Sequence, residues 1–297
     1  MRAGLWWARW PYALATLGRN RLYDSGRLPA IRAGVPVISV GNLTLGGTGK
    51  TPCVEYVARY FRESGMAVAI LSRGVGVEHG PNDEALVLEE NLPDVPHLQG
   101  RDRAALAMLA VEELEAELLI LDDGFQHRRL ARDLDIVLLD ATQPIAEEYL
   151  FPRGLLREAV AGLRRADVAL FTRCDQVSTE ILAEQRTWLT ARYPELLQAC
   201  TRHAAIGWIQ EAEDPEARHD LTWLSGQPVA GFCGIGHPPA FARTLEDLGV
   251  NLIGFRTFPD HHAYTRDDVQ DLQGWAVSFP PETIIATTQK DYVKLRL

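Results

Sequence analysis

Cysteine is scarce and scattered. Cys53, Cys174, Cys200 and Cys233 are the whole supply, and no two of them form a CxxC pair. That spacing offers neither a zinc site nor a disulfide framework, and it suits a reducing cytoplasm. Positive charge is also short. Thirty basic residues stand against forty acidic ones, a formal net charge of −10. No basic stripe runs along the chain, which argues against a nucleic-acid partner. No apolar run reaches the ~20 residues of a membrane-spanning helix, and no unbroken apolar core with a small-residue cleavage site marks a signal peptide. Internal repeats and low-complexity tracts are absent, and no protein partner can be inferred. The remainder is globular in composition: 46% apolar over 297 residues, enough for one large α/β domain or two smaller ones with a sizeable core.

The acidity is uneven. Residues 1–32 carry six arginines (Arg2, Arg9, Arg19, Arg21, Arg27, Arg32) against a single acid, Asp24. Trp6, Trp7 and Trp10 fall in the same stretch with Leu5, Tyr12, Leu14 and Leu17. Tryptophan mixed with arginine is what a helix lying in a membrane interface needs. A surface helix packed on the domain would use the same residues, and on composition alone the two readings weigh equally.

Beyond this segment, short β-branched runs alternate with longer helical stretches. Val35–Val40, Ala67–Leu71, Ala85–Leu88, Leu118–Leu121, Ile136–Leu139 and Val168–Phe171 read as strands, and 52–63 reads as a helix. Residues 176–225 read as mainly helical and polar, and three further strands are expected at Val229–Cys233, Leu252–Phe255 and Thr283–Ala286. Such alternation predicts an α/β fold with a mostly parallel sheet covered on both faces. The expected organisation is an N-terminal helix over 1–30, a P-loop NTPase-like lobe over 31–225, and a smaller α/β lobe over 226–297, with a cleft between the lobes.

The sharpest local feature runs from Gly41 through Thr44, Leu45, Gly46, Gly47, Thr48 and Gly49 to Lys50 and Thr51. It follows a strand and opens a helix, the setting a phosphate-binding loop requires. Glycines let backbone N–H groups curl toward phosphate oxygens, and the helix start adds partial positive charge. Lys50 can reach the β- and γ-phosphates, and the Thr51 hydroxyl can ligate Mg²⁺. Thr44 stands where the common pattern has glycine. Downstream, the apolar run Leu118–Leu121 ends in Asp122 and Asp123, followed by Gly124, Phe125, Gln126 and His127. A carboxylate ending a strand beside the loop can hold the metal. Arg73, after the strand ending at Leu71, falls at the same sheet edge and is a candidate to stabilise phosphate charge.

Together these blocks resemble the tetraacyldisaccharide 4'-kinases (lipid A 4'-kinases). The resemblance runs over nearly the whole chain: Gly41 to Pro52, Ser72-Arg73-Gly74, Asn82-Asp83-Glu84, Leu121 to His127, Leu155-Leu156-Arg157-Glu158, Gly234 to Pro238, Phe258-Pro259-Asp260-His261-His262 and Lys290-Asp291. The family's own loop carries threonine at the Thr44 position. The resemblance implies a two-lobed kinase with ATP and Mg²⁺ as cofactors. It implies transfer of the γ-phosphoryl group to the 4'-hydroxyl of an acylated glucosamine disaccharide 1-phosphate at the cytoplasmic face of the bacterial inner membrane, and it tips residues 1–32 toward membrane contact. By the same resemblance Lys50 and Thr51 serve phosphate and metal, Asp122, Asp123 and Gln126 hold Mg²⁺, and Arg73 and Glu158 lie near nucleotide or metal. Asp83 matches the catalytic base, partnered by His261 or His262. The chain departs from the family at Val75 and Val77, where Tyr-Gly-Gly is usual, and at Asn82, Ala159 and Gln289.

Two other readings compete. A nucleotide-dependent switch or assembly ATPase/GTPase would use the loop, and Thr172-Arg173-Cys174-Asp175 faintly resembles a base-reading motif without its Asn-Lys. A switch has no use for Asp83 or the histidine pair. A non-catalytic membrane module would leave the phosphate loop unexplained.

Overall fold

The computed structural model describes residues 9–74, 83–210 and 219–296. Trp6, Trp7, Val75, Val77 and Asn82 lie outside the described residues. Among the described ones, 9–74 and 88–203 form one compact unit, and 83–87 with 204–210 and 219–296 form a second. The division therefore falls at 203/204, ahead of the 225/226 boundary expected from composition, and the N-terminal helix is counted with the first unit.

The first unit is built on a seven-stranded sheet in the order β3-β2-β4-β1-β5-β6-β7, every pair parallel. Its strands are β1 (Val37–Asn42), β2 (Val68–Ser72), β3 (His97–Gln99), β4 (Leu118–Asp122), β5 (Leu134–Asp140), β6 (Val168–Thr172) and β7 (Leu197–Cys200). β1, β2 and β4 are buried along their whole length, which is why they read as continuous apolar runs rather than alternating ones. One face packs Ile38, Val40, Ile70 and Ile120 against Val54 and Ala58 of α2 (Lys50–Glu63) and Leu88 of α3 (Asp83–Asn91). The other packs Val37, Ala69, Leu71 and Leu119 against Ala104, Ala107 and Ala110 of α4 (Arg103–Glu113). Toward β6, Phe125, Leu139 and Phe171 meet Leu189 of α5 (Thr179–Arg192). The first helix, α1, is Arg9–Asp24.

One expected strand is a helix, and two strands carry no readable sequence signal. Ala85–Leu88 is not a strand but the middle of α3. Asp83 and Glu84 in its first turn complement the helix dipole, and Ala85, Leu88 and Leu92 are buried at helical spacing. Among the described residues of 176–225 there is one α-helix, and the stretch also supplies β7, an edge strand whose residues are mostly exposed and carry little apolar signal. β3 is three residues long, too short to show a pattern.

Burial at β3 has a consequence for stability. His97 Nε2 lies 2.9 Å from Ser72 Oγ, and burial pushes its pKa down to about 4. The unfolded chain then binds more protons than the folded one below about pH 6.5, so stability falls as pH drops from there toward 4. The melting temperature is expected to decline over that window, and less steeply in His97→Gln. Equal slopes in the two proteins would remove His97 as the cause.

The second unit holds a smaller parallel sheet, β10-β8-β9, from β8 (Pro228–Cys233), β9 (Asn251–Thr257) and β10 (Ile284–Thr287). Its helices are α6 (Pro238–Asp247), α7 (Arg266–Val277) and α8 (Gln289–Leu295). A capping box between Thr265 and Asp268 starts α7.

Candidate active site

β1 lies between β4 and β5, so the chain builds the sheet to one side of it through β2, β3 and β4 and to the other side from β5 onward. The crevice beyond its carboxyl end is where open α/β sheets bind ligands. The loop from Leu43 to Gly49 occupies that position and leads directly into α2. Gly49 takes the left-handed conformation (φ +86°) just before the helix, with no side-chain cap, so the first-turn N–H groups of α2 remain available to an anion. Gly46 is also left-handed, and a Cβ on Gly46 or Gly47 would meet nothing within 4 Å. The loop is therefore open on that side.

Its other side is tied down. Asn42 Nδ2 donates to the buried Thr48 Oγ1 at 2.9 Å. Thr44 bridges to Leu156, Leu45 N–H donates to Leu155 C=O, and Arg157 N–H donates to Leu43 C=O. Arg173, itself left-handed at φ +55°, donates to Gly47 C=O at 2.6 Å and is ion-paired with Asp140. The sequence reading left Arg173 without a role. Its signal was the Thr-Arg-Cys-Asp string at the end of β6.

Beside the loop, the turn after β4 crosses so close to β1 that a Cβ on Gly41 would stand 2.7 Å from Phe125 Cβ. This brings Asp123 to Lys50, with Nζ 3.7 Å from Oδ1. Arg157 clamps both oxygens of Asp123, at 2.8 and 2.6 Å. Burial works to raise the Asp123 pKa, but Lys50, Arg157 and Arg103 outweigh it and hold the carboxyl below its ordinary range. Arg103 is less basic than usual through burial, with Arg73 lowering it further and Asp122 and Asp123 opposing. The exposed Arg73 thus acts on the same charge cluster. Asp122 is buried at the end of β4. Its charge, after burial itself, helps push the Cys53 thiol up to about 11. Thr51 is half-buried in the first turn of α2. Gln126 Nε2 donates to Asn42 C=O and to Glu158 Oε1, which leaves its oxygen as the atom it could offer a metal. Glu158 is fully buried and also accepts from Asn20 and Arg165. Hard oxygen donors from Thr51, Asp122, Asp123 and Gln126 fit Mg²⁺.

The second unit gathers a different set. His261, at φ +58°, places Nδ1 3.0 Å from each oxygen of Asp83, which is buried at the start of α3. The neighbouring His262 turns elsewhere: Nε2 is 3.1 Å from Asp268 Oδ2, and its ring stacks on Phe258. Of the two histidines it is His261 that meets Asp83. Lys290 and Lys294, neither given a role by sequence, also approach Asp83.

The family model described as tetraacyldisaccharide-1-P 4'-kinase matches residues 1–297. A tetraacyldisaccharide 4'-kinase of Anaeromyxobacter dehalogenans is 41% identical over 315 residues, covering 96% of this chain and 79% of that one. One from Syntrophus aciditrophicus is 36% identical over 310 residues, covering 96% and 82%. Among solved structures, the LpxK of Aquifex aeolicus in complex with ATP superimposes with a TM-score of 0.74 at 30% identity, covering 99% of this chain and 90% of that chain.

Proposed function

We propose how this chain, which belongs to the tetraacyldisaccharide-1-P 4'-kinase family and is a kinase of lipid A biosynthesis, divides its reaction among its residues. The phosphoryl donor is ATP, and the acceptor is the 4'-hydroxyl of an acylated glucosamine disaccharide 1-phosphate. The observation that carries the reading is the β1–loop–α2 junction with Lys50 set against the doubly clamped Asp123. Loop N–H groups from Gly46 to Lys50 cradle the phosphates, and Lys50 neutralises charge on the group in transfer. Thr51, Asp122, Asp123 and Gln126 are the residues that would hold Mg²⁺, with Glu158 fixing Gln126. When bound, the metal neutralises phosphate oxygens and fixes their geometry. Arg73 adds positive charge to the cluster. Asp83 accepts the hydroxyl proton as the new P–O bond forms and the γ-phosphoryl bond to the departing ADP breaks, and His261 orients or shares that proton.

The experiment is incubation with Mg-ATP and the acylated disaccharide 1-phosphate, followed by mass analysis of the lipid. One added phosphate at the 4' position is expected. ATP consumption without lipid phosphorylation would favour a nucleotide switch instead.

We further propose that α1 rests on the cytoplasmic face of the bacterial inner membrane. Among the described residues no helix is long and apolar enough to cross a membrane. Trp10, Leu14 and Leu17 are 48%, 68% and 50% exposed and lie one turn apart along α1. The domain side of the helix is fastened by polar bonds, Tyr12 Oη donating to Arg157 C=O and Asn20 Nδ2 to Glu158, and at the helix end Asp24 pairs with Arg128. A helix merely packed on the domain would turn its leucines inward. Exposed Arg19 and Arg21 suit anionic headgroups, by ~1 kcal/mol each. The Leu14→Gln, Leu17→Gln double variant should sediment with anionic vesicles ~10-fold less well while melting as the parent does. Unchanged sedimentation would reject the interfacial role. Truncating the helix is the weaker test, because it strips Glu158 of a hydrogen bond.

A further inference from the structure

Only three of the thirty basic residues are lysines: Lys50, Lys290 and Lys294. Arginine serves everywhere else. The last two lie one turn apart on α8, and each brings Nζ close to the same buried carboxylate, at 3.6 Å (Lys290) and 3.7 Å (Lys294) from Asp83 Oδ2. Lys290 is the more exposed and also lies 3.8 Å from Glu84. Lys294 is nearly enclosed, with Nζ 3.2 Å from Asp291 Oδ1 and 5.4 Å from the centre of the Tyr264 ring.

Asp291 is fully buried and tightly held. Its Oδ2 accepts from Gly234 N–H at 3.0 Å and Thr288 Oγ1 at 2.7 Å, and its Oδ1 accepts from Tyr264 Oη at 3.0 Å. Burial, then the charge of Asp291, pushes the Tyr264 phenol up, so it remains a donor at ordinary pH. The same two causes raise the Cys233 thiol to about 11. The titratable groups facing Asp83 are thus Lys290, Lys294 and His261, with Glu84 and Asp260 further out.

Enclosing an ammonium is costly, and an apolar side chain of similar size would serve packing as well or better. A compact point charge is what fits between two carboxylates, where a planar guanidinium fork would not. Without a neighbouring cation, a buried carboxylate takes up a proton. We propose that Lys294, seated on Asp291, is a positioning residue for phosphoryl transfer: it keeps Asp83 ionised and fixes its Oδ2. Lys290 reinforces it from one turn away. This rests on the reading of Asp83 as the base.

The test is kcat/KM against pH, with Mg-ATP and the acylated disaccharide 1-phosphate, for the parent, K294M, K294R, D83N and the double variant. K294M should lower the rate ~10-fold and move the acid limb up by ~1 pH unit, without changing KM for ATP. K294R should leave the limb near its parental position even if the rate falls. In a D83N background K294M should cost nothing more. A uniform fall at every pH with the limb in place, or a full extra loss on D83N, would overturn the proposal. Near-normal turnover by D83N would instead overturn the base reading beneath it. Should K294M fail to melt cooperatively, K290M carries the test: a smaller shift in the same direction is expected, and no shift refutes it.

Discussion

Lys50→Ala should lower turnover by ~10³-fold while the protein still folds. Removing one preorganised donor to developing charge costs ~10²–10³, and an ammonium directed at the transferring group stands at the upper end. The geometry adds a second loss. Lys50 is among the cations holding Asp123 ionised against its burial, so its removal also weakens a carboxylate of the proposed metal site. The rate of Lys50→Ala should therefore depend more steeply on Mg²⁺ than that of the parent. Arg157 and Arg103 remain beside Asp123, so the carboxylate is not left bare, and the melting temperature should move little. Near-normal turnover in a cooperatively melting Lys50→Ala protein would remove the loop from the chemistry.

The elements around that loop were legible because their physics is local. A buried parallel strand is a continuous apolar run, and a phosphate loop is glycine, lysine and threonine at fixed spacing. What escaped was set at a distance. Ala85–Leu88 looks like a strand when read alone; Leu92, buried beyond it at the same spacing, and the acidic first turn make it a helix. β7 is paired on one edge only and keeps its residues mostly exposed, so no apolar pattern marks it. Arg173 sits 126 residues from the Gly47 carbonyl it holds, a pairing no spacing encodes. Lys294 did leave a trace, as one of three lysines in an arginine-rich chain.

Distance also explains how α1 relates to the phosphate site. Tyr12 bonds the backbone of Arg157, whose side chain clamps Asp123, and Asn20 bonds Glu158, which holds Gln126. The helix proposed to touch the membrane is thus one hydrogen bond from two residues that support the proposed metal ligands. Its inner polar face is as much part of the site as its outer apolar stripe is part of the surface.

The prediction that tests the chemistry concerns Asp83 and His261. A sugar hydroxyl is a weak nucleophile while it keeps its proton, and a positioned carboxylate can take that proton as the bond to phosphorus forms. Asp83 has the burial and the partner such a base needs: its oxygens are each 3.0 Å from His261 Nδ1. Asp83→Asn should lower turnover ~10²-fold or more, with ATP binding retained, because the loop and Lys50 belong to the other unit. Asparagine is preferred to alanine because it keeps the side-chain volume beside Lys290 and Lys294. His261→Ala should also lower turnover, and the double variant should lose less than the product of the separate losses, since two groups acting on one proton fail together. His262→Ala supplies the contrast. Its ring is engaged by Asp268 and Phe258, so its loss should lower the melting temperature more than the rate. Multiplicative losses for Asp83 and His261 would argue that they act independently, and near-parental turnover by a folded Asp83→Asn would place the base elsewhere.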